Sequence, residues 1–131
     1  MTKYVGVRLA TVLLLLMVGA CDRIQPIYTA QDQLPVASRG LTFDQVTESI
    51  VQAAQSNGWA TERAGPADVR ATQKWQDHAA IVLISHDDKS FTIRNDGSIK
   101  LNESGGYIHR AYNTRVHALE AAIQKQLNQT P

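Results

Sequence analysis

The sequence predicts a single α+β domain, a two-layer sandwich. In it a four-stranded antiparallel meander carries an N-terminal and a C-terminal helix packed on one face. Two observations predict this class. Two segments with apolar residues at helical spacing bracket a central stretch of short runs with strand-like alternation. Turn-forming pairs separate those runs. The length of 131 residues, 44% of them hydrophobic, suits one ordinary core.

The first helix is expected at about 43–57. Thr42 caps it, Gln45 stands three residues on to complete a capping box, and Leu41 can staple against Val46. Phe43, Val46, Ile50, Ala53 and Ala54 share one face, and Asn57-Gly58 supplies a left-handed stop. Strands are expected at Trp59 to Ala64, Val69 to Trp75, Ala79 to Ser85 and Lys89 to Asn95. Gly65-Pro66, Gln76-Asp77 and Asp87-Asp88 separate them, and Asp96-Gly97 follows. Ser98 to Asn102 is open as a short fifth strand. Beyond Gly105-Gly106, the residues Ile108, Tyr112, Val116, Leu119, Ile123 and Leu127 recur at four- and three-residue steps, the stripe of a second helix. The domain so read covers 41–128, with a tail at 129–131. Residues 21–40 show no period and read as a flexible tether.

Two-residue turns set a register. Gln76-Asp77 places Trp75 opposite His78, Ala71 opposite Val82 and Val69 opposite Ile84. Asp87-Asp88 places Ile84 opposite Phe91 and Val82 opposite Ile93. Both turns give one apolar face: Val69, Ala71, Trp75, Ala80, Val82, Ile84, Phe91 and Ile93. The opposite face is mostly polar, except for Ile81 and Leu83 with Arg70, Lys74 and Arg94 around them. An apolar centre with a polar rim is the layout of a protein interface. Long cationic stems lying over two aliphatics would produce the same pattern.

The first 20 residues are read as an address. Lys3 and Arg8 precede an apolar run from Leu9 to Val18, and small residues Gly19 and Ala20 precede Cys21. A charged start, a short apolar run and a small-residue exit form a secretory signal, and the run is shorter than the ~20 residues of a bilayer span. Val18-Gly19-Ala20-Cys21 resembles the bacterial lipobox, which implies a diacylglycerol thioether on Cys21 and a membrane partner held through it. Asp22 resembles the signal for retention in the inner membrane, with the outer membrane left open. Without residues 1–20, 11 basic face 12 acidic residues, a net charge of −1. That excludes a strongly basic nucleic-acid binder, and one Cys excludes an internal disulfide scaffold.

Reactive groups are sparse. His78 and His86 stand ~27 Å apart along one strand, and His109 and His117 ~12 Å apart along a helix, so neither pair chelates an ion alone. Only a meeting across elements, such as His78 with His117, would do so. Ser85, His86 and Asp87 adjoin in sequence, but neighbours on a strand point to opposite faces, which is not a triad. No phosphate loop, dinucleotide fingerprint or zinc-protease motif appears, so no catalytic residue, metal or cofactor is assigned. Ile108-His109-Arg110-Ala111-Tyr112-Asn113 gathers an imidazole, a guanidinium, a phenol and an amide at a helix start, where backbone donors can hold an anion. The plainer reading packs Tyr112 in the core and spends His109 and Asn113 on local backbone.

From Gly58-Trp59 to Ile123 the domain resembles a family of small bacterial lipoproteins with no established activity. The likeness includes Gly65, His78, Ala80, Val82, Ile84, Phe91, Ile93, Ser98 and Leu101. Its specific part is Ile108-His109 with Tyr112-Asn113, and Val116 and Leu119 follow. Arg115 stands where relatives are expected to carry an aromatic. The resemblance implies the fold and the envelope address, and leaves the activity open. The sequence therefore favours a non-enzymatic envelope lipoprotein that binds a protein partner or a second copy through Arg70, Lys74, Ile81, Leu83 and Arg94. The alternative is a small-ligand or anion binder, conceivably an enzyme, centred on His109, Arg110, Tyr112 and Asn113.

Overall fold

The computed structural model describes residues 23–129. The expected signal at 1–20, Cys21 and Asp22 lie outside the described residues. Two short strands open the fold, β1 (Ile24–Pro26) and β2 (Ala30–Gln33), followed by a 3-10 turn at Val36–Ser38. Then come α1 (Phe43–Ser56) and the strands β3 (Ala60–Gly65), β4 (Asp68–Trp75), β5 (His78–His86) and β6 (Ser90–Asn95). A last short strand, β7 (Tyr107–His109), leads directly into α2 (Arg110–Gln129). The main sheet is antiparallel in the order β2-β6-β5-β4-β3, and β1 pairs with β7 in a separate two-stranded ribbon.

Local chemistry builds α1. The Thr42 hydroxyl accepts the Gln45 amide at 3.2 Å, and the Gln45 side chain accepts the Thr42 amide at 2.8 Å, the reciprocal capping box. At the other end the Gly58 amide donates to Gln55 O and the Trp59 amide to Ala54 O, closing a Schellman motif. Gly58 sits at φ +83°, where a Cβ would be strained. Along α2, Tyr112, Val116, Leu119, Ile123 and Leu127 are completely buried, as is Ile108 in β7. These side chains meet Ile50, Ala53 and Ala54 of α1 and the inner sheet face, including Val69, Val82, Ile84, Phe91 and Ile93, in one core. Both helices therefore cover one face of the sheet.

The structure corrects several details, the first being that Ile108, read into the stripe of the second helix, lies in β7 and α2 begins at Arg110. The segment read as a flexible tether is part of the fold, because Ala30 and Leu34 are buried and β2 pairs with β6 as the fifth strand. Strands of three and four residues are too short to show a period in sequence. Ser98 to Asn102 makes only the bridge Ala79↔Ile99, since Lys100 and Asn102 both turn to φ 54° and break the extended run. The β5–β6 connection is wider than two residues. The Asp87 carboxylate accepts the Lys89 and Ser90 amides at 2.8 and 2.7 Å, so His86 faces Phe91 and Ile84 faces Ile93. A shift of two leaves every side chain on its expected face. Phe43 is not in the core: it is 44% exposed and lies on the His86 ring at 4.4 Å. α2 runs on to Gln129, one residue into the expected tail.

The β4–β5 hairpin pairs as expected, Trp75↔His78, Ala71↔Val82 and Val69↔Ile84. Its turn places Gln76 at φ 53°. Trp75, expected on the buried face, is only half-buried and carries the Arg115 guanidinium 3.6 Å from its ring centroid.

Candidate functional site

The outer sheet face is organised by cross-strand pairs. Leu83 on β5 lies between Arg70 on β4 and Arg94 on β6, and Ile81 lies beside Thr72. Paired residues in an antiparallel sheet share a face, so Ile81 and Leu83 form an apolar strip with guanidinium groups on both sides of Leu83. Both are half-buried, whereas Arg70, Lys74 and Arg94 are exposed. The Arg70 Nε donates to Asp96 Oδ2 at 2.7 Å; Asp96 follows β6 and its own amide donates to Ile81 O, so the Arg70 side chain reaches across β5 beside the strip. A shallow depression of about 470 Å³ lined by Gly58, Ala60, Thr72 and Lys74 adjoins the strip through the Thr72–Ile81 pair. Ile99, 48% exposed, adds apolar surface opposite Ala79.

The N-terminal segment could have covered this strip. Instead it lies against the helices. Ile27 and Tyr28 pack on the core, and the Tyr28 ring stacks on His117 of α2 at 3.9 Å.

The residues at the start of α2 do not converge on a common site. Tyr112 is completely buried, and burial raises its pKa first, with the nearby Glu103 charge adding to it. Its hydroxyl has no hydrogen-bond partner among the described residues. Asn113 is a clamp: its Oδ1 accepts the Tyr28 amide at 2.9 Å, and its Nδ2 donates to Pro26 O at 2.9 Å and Gln25 Oε1 at 3.2 Å. His109 Nδ1 accepts the Ala111 amide at 3.1 Å, a cap on the new helix. Arg110 is exposed, and its amide donates to Arg23 O at 2.7 Å. The motif therefore fastens the N-terminal segment to α2.

A polar cluster beside it is invisible in the sequence. The Tyr28 hydroxyl donates to both carboxylate oxygens of Glu120, at 2.9 and 3.1 Å, and His117 Nδ1 lies 3.7 Å from Glu120. Asp32 points inward from the edge strand β2, and its Oδ2 is buried without a hydrogen-bond donor among the described residues. Burial and the Glu120 carboxylate push the Asp32 carboxyl up to about 6, and burial and Glu120 raise the Tyr28 phenol to about 12. The i,i+3 pair His117/Glu120 was readable, but its partners lay in the stretch read as coil.

The histidines stay apart. His78 Nδ1 bonds Lys100 O at 2.8 Å and its ring lies 5.6 Å from that of Trp75, whereas His117 stacks on Tyr28. His86 is buried with Nε2 2.6 Å from the Thr47 hydroxyl, and burial lowers its pKa. The Ser85 hydroxyl turns the other way, to Asp68 Oδ1 at 2.6 Å. Among the described residues no group of three His, Cys, Asp or Glu is placed to hold a metal ion. Among them, too, no helix is long and apolar enough to cross a membrane. Compared with known proteins, the chain matches no family model and no curated protein.

Proposed function

We propose that the chain is a lipid-anchored bacterial envelope protein, and that its domain is a non-enzymatic binding or assembly module on the periplasmic side. Residues 1–20 deliver it, Cys21 carries the lipid, and Asp22 favours the inner membrane. Membership of the small-lipoprotein family it resembles belongs to the same reading. The observation that carries the docking surface is the half-buried apolar strip of Ile81 and Leu83, flanked by Arg70 and Arg94 and bordered by a depression at Lys74. Its partner is an envelope protein or a second copy of this chain, with apolar groups for the strip and carboxylates for the rim.

Leu83→Asp tests it. The new carboxylate falls between two guanidinium groups, so the fold tolerates it, while the centre of the docking strip becomes charged. Chemical crosslinking in the native envelope should give a higher-mass species with the unmodified chain and none with Leu83→Asp, at an unchanged melting temperature. An identical species from both would contradict the proposal.

A further inference from the structure

The fold begins almost at the lipid-bearing residue. Ile24 is the first residue of β1, three peptide steps after Cys21. At ~3.8 Å per step, those residues span at most about 11 Å. A domain on so short a leash rests against the surface that holds its anchor, and the part nearest the anchor is the β1–β7 ribbon.

The ribbon is two-faced. Its register is Ile24↔His109, Gln25↔Ile108 and Pro26↔Tyr107. Alternation puts Gln25 and Ile108 on one face, where Ile108 is completely buried and Gln25 reaches Asn113. Ile24, Pro26, Tyr107 and His109 share the other face. There Ile24 is 41% and Tyr107 51% exposed, two of the largest apolar groups left uncovered on the described chain. Arg23 and Arg110, both exposed, are joined at this edge by the bond from the Arg110 amide to Arg23 O. Next to the ribbon in sequence, the acidic residues are Asp22 and Glu103, the latter before β7. An aliphatic, a tyrosine and flanking arginines are the residues that occupy a membrane interface, the ring at headgroup level and the guanidinium groups on phosphates.

We propose that the outer face of the β1–β7 ribbon lies on the phospholipid bilayer to which Cys21 is anchored, with Ile24 and Tyr107 at headgroup depth and Arg23 and Arg110 on lipid phosphates. This rests on the lipid-anchor reading above. The contact needs little affinity of its own, because the anchor already supplies a high effective concentration. It orients the domain on the membrane rather than holding it there.

The test uses the full chain, lipidated in a bacterial host and reconstituted into phosphatidylethanolamine–phosphatidylglycerol vesicles. Tyr107→Cys and, separately, Thr72→Cys are labelled with an environment-sensitive fluorophore. A lipid-modified Cys21 has no free thiol to compete. The label at 107 should shift to the blue and be quenched by lipids carrying a quencher at the top of the acyl chain, and the label at 72 should do neither. A chain that floats with the vesicles but keeps an aqueous label at 107 overturns this inference alone. A label at 107 that is shifted but not quenched by lipid reports a protein on the ribbon, and overturns it too. A chain that does not float, with an unmodified Cys21 by mass spectrometry, overturns the anchor and this inference with it.

Discussion

Asn113 shows how much one amide decides. Three hydrogen bonds from one largely buried side chain hold residues 25, 26 and 28 to α2. Asn113→Ala should cost about 1–2 kcal/mol, since it leaves the part-buried Tyr28 amide and Pro26 carbonyl without the bonds that Asn113 makes to them. Urea unfolding measures the loss, and hydrogen exchange should show the Tyr28 amide losing protection first. Asp32 makes the opposite case. Its carboxyl titrates at about 6 in the fold against 3.8 for the free group. The folded state therefore binds the proton more tightly, and stability falls as pH rises from about 4 through about 6. Asp32→Asn removes that loss and offers Glu120 a donor. After discounting for partial exposure, it should be more stable than the unmodified chain by about 1–2 kcal/mol at pH 7.5 and equal at pH 4. A gap independent of pH would refute this. Arg115 shows a cation used for packing: its flat guanidinium covers the Trp75 ring, bonds Gln73 at 2.8 Å, and has its pKa lowered by burial.

At the scale of elements, legibility follows length and repetition. α1 announced itself because its cap, box, staple and stop are all local chemistry, and α2 because Tyr112, Val116, Leu119, Ile123 and Leu127 keep helical step; Ile108, read into the same stripe, belongs to β7. The β4–β5 register followed from a two-residue turn. The β5–β6 register did not, because whether Asp87 closes a tight turn or folds its carboxylate onto the next amides is a choice sequence leaves open. β1, β2 and β7 were hidden for another reason. Each is three or four residues long and owes its existence to a distant partner, β7 to β1 and β2 to β6. The Tyr28–Asp32–Glu120 cluster was lost with them. The outer face survived the register error intact, since the shift was even. The β4–β5 turn also carries a removable strain, Gln76 at φ 53°. Gln76→Gly should stabilise the fold by about 0.5–1 kcal/mol, the left-handed penalty less glycine's greater chain entropy. A thermal melt that falls would contradict that reading of the turn.

The described residues present three surfaces: helices that seal the core with the N-terminal strands, an outer sheet face with a half-buried apolar strip, and the small β1–β7 ribbon beside the proposed anchor. This division suits the proposed module, oriented at one place and docking at another, and three of the polar groups that the sequence singles out serve the fold. Asn113 fastens the start of the chain, His86 is sealed against Thr47, and Asp87 closes a turn. The direct test is photo-crosslinking in the native envelope from position 83, with Gln52 on the exposed side of α1 as the comparison position. The docking surface predicts one discrete adduct from 83, with an envelope protein or a second copy, and none from 52. No adduct from 83, or the same adducts from both positions, would contradict it.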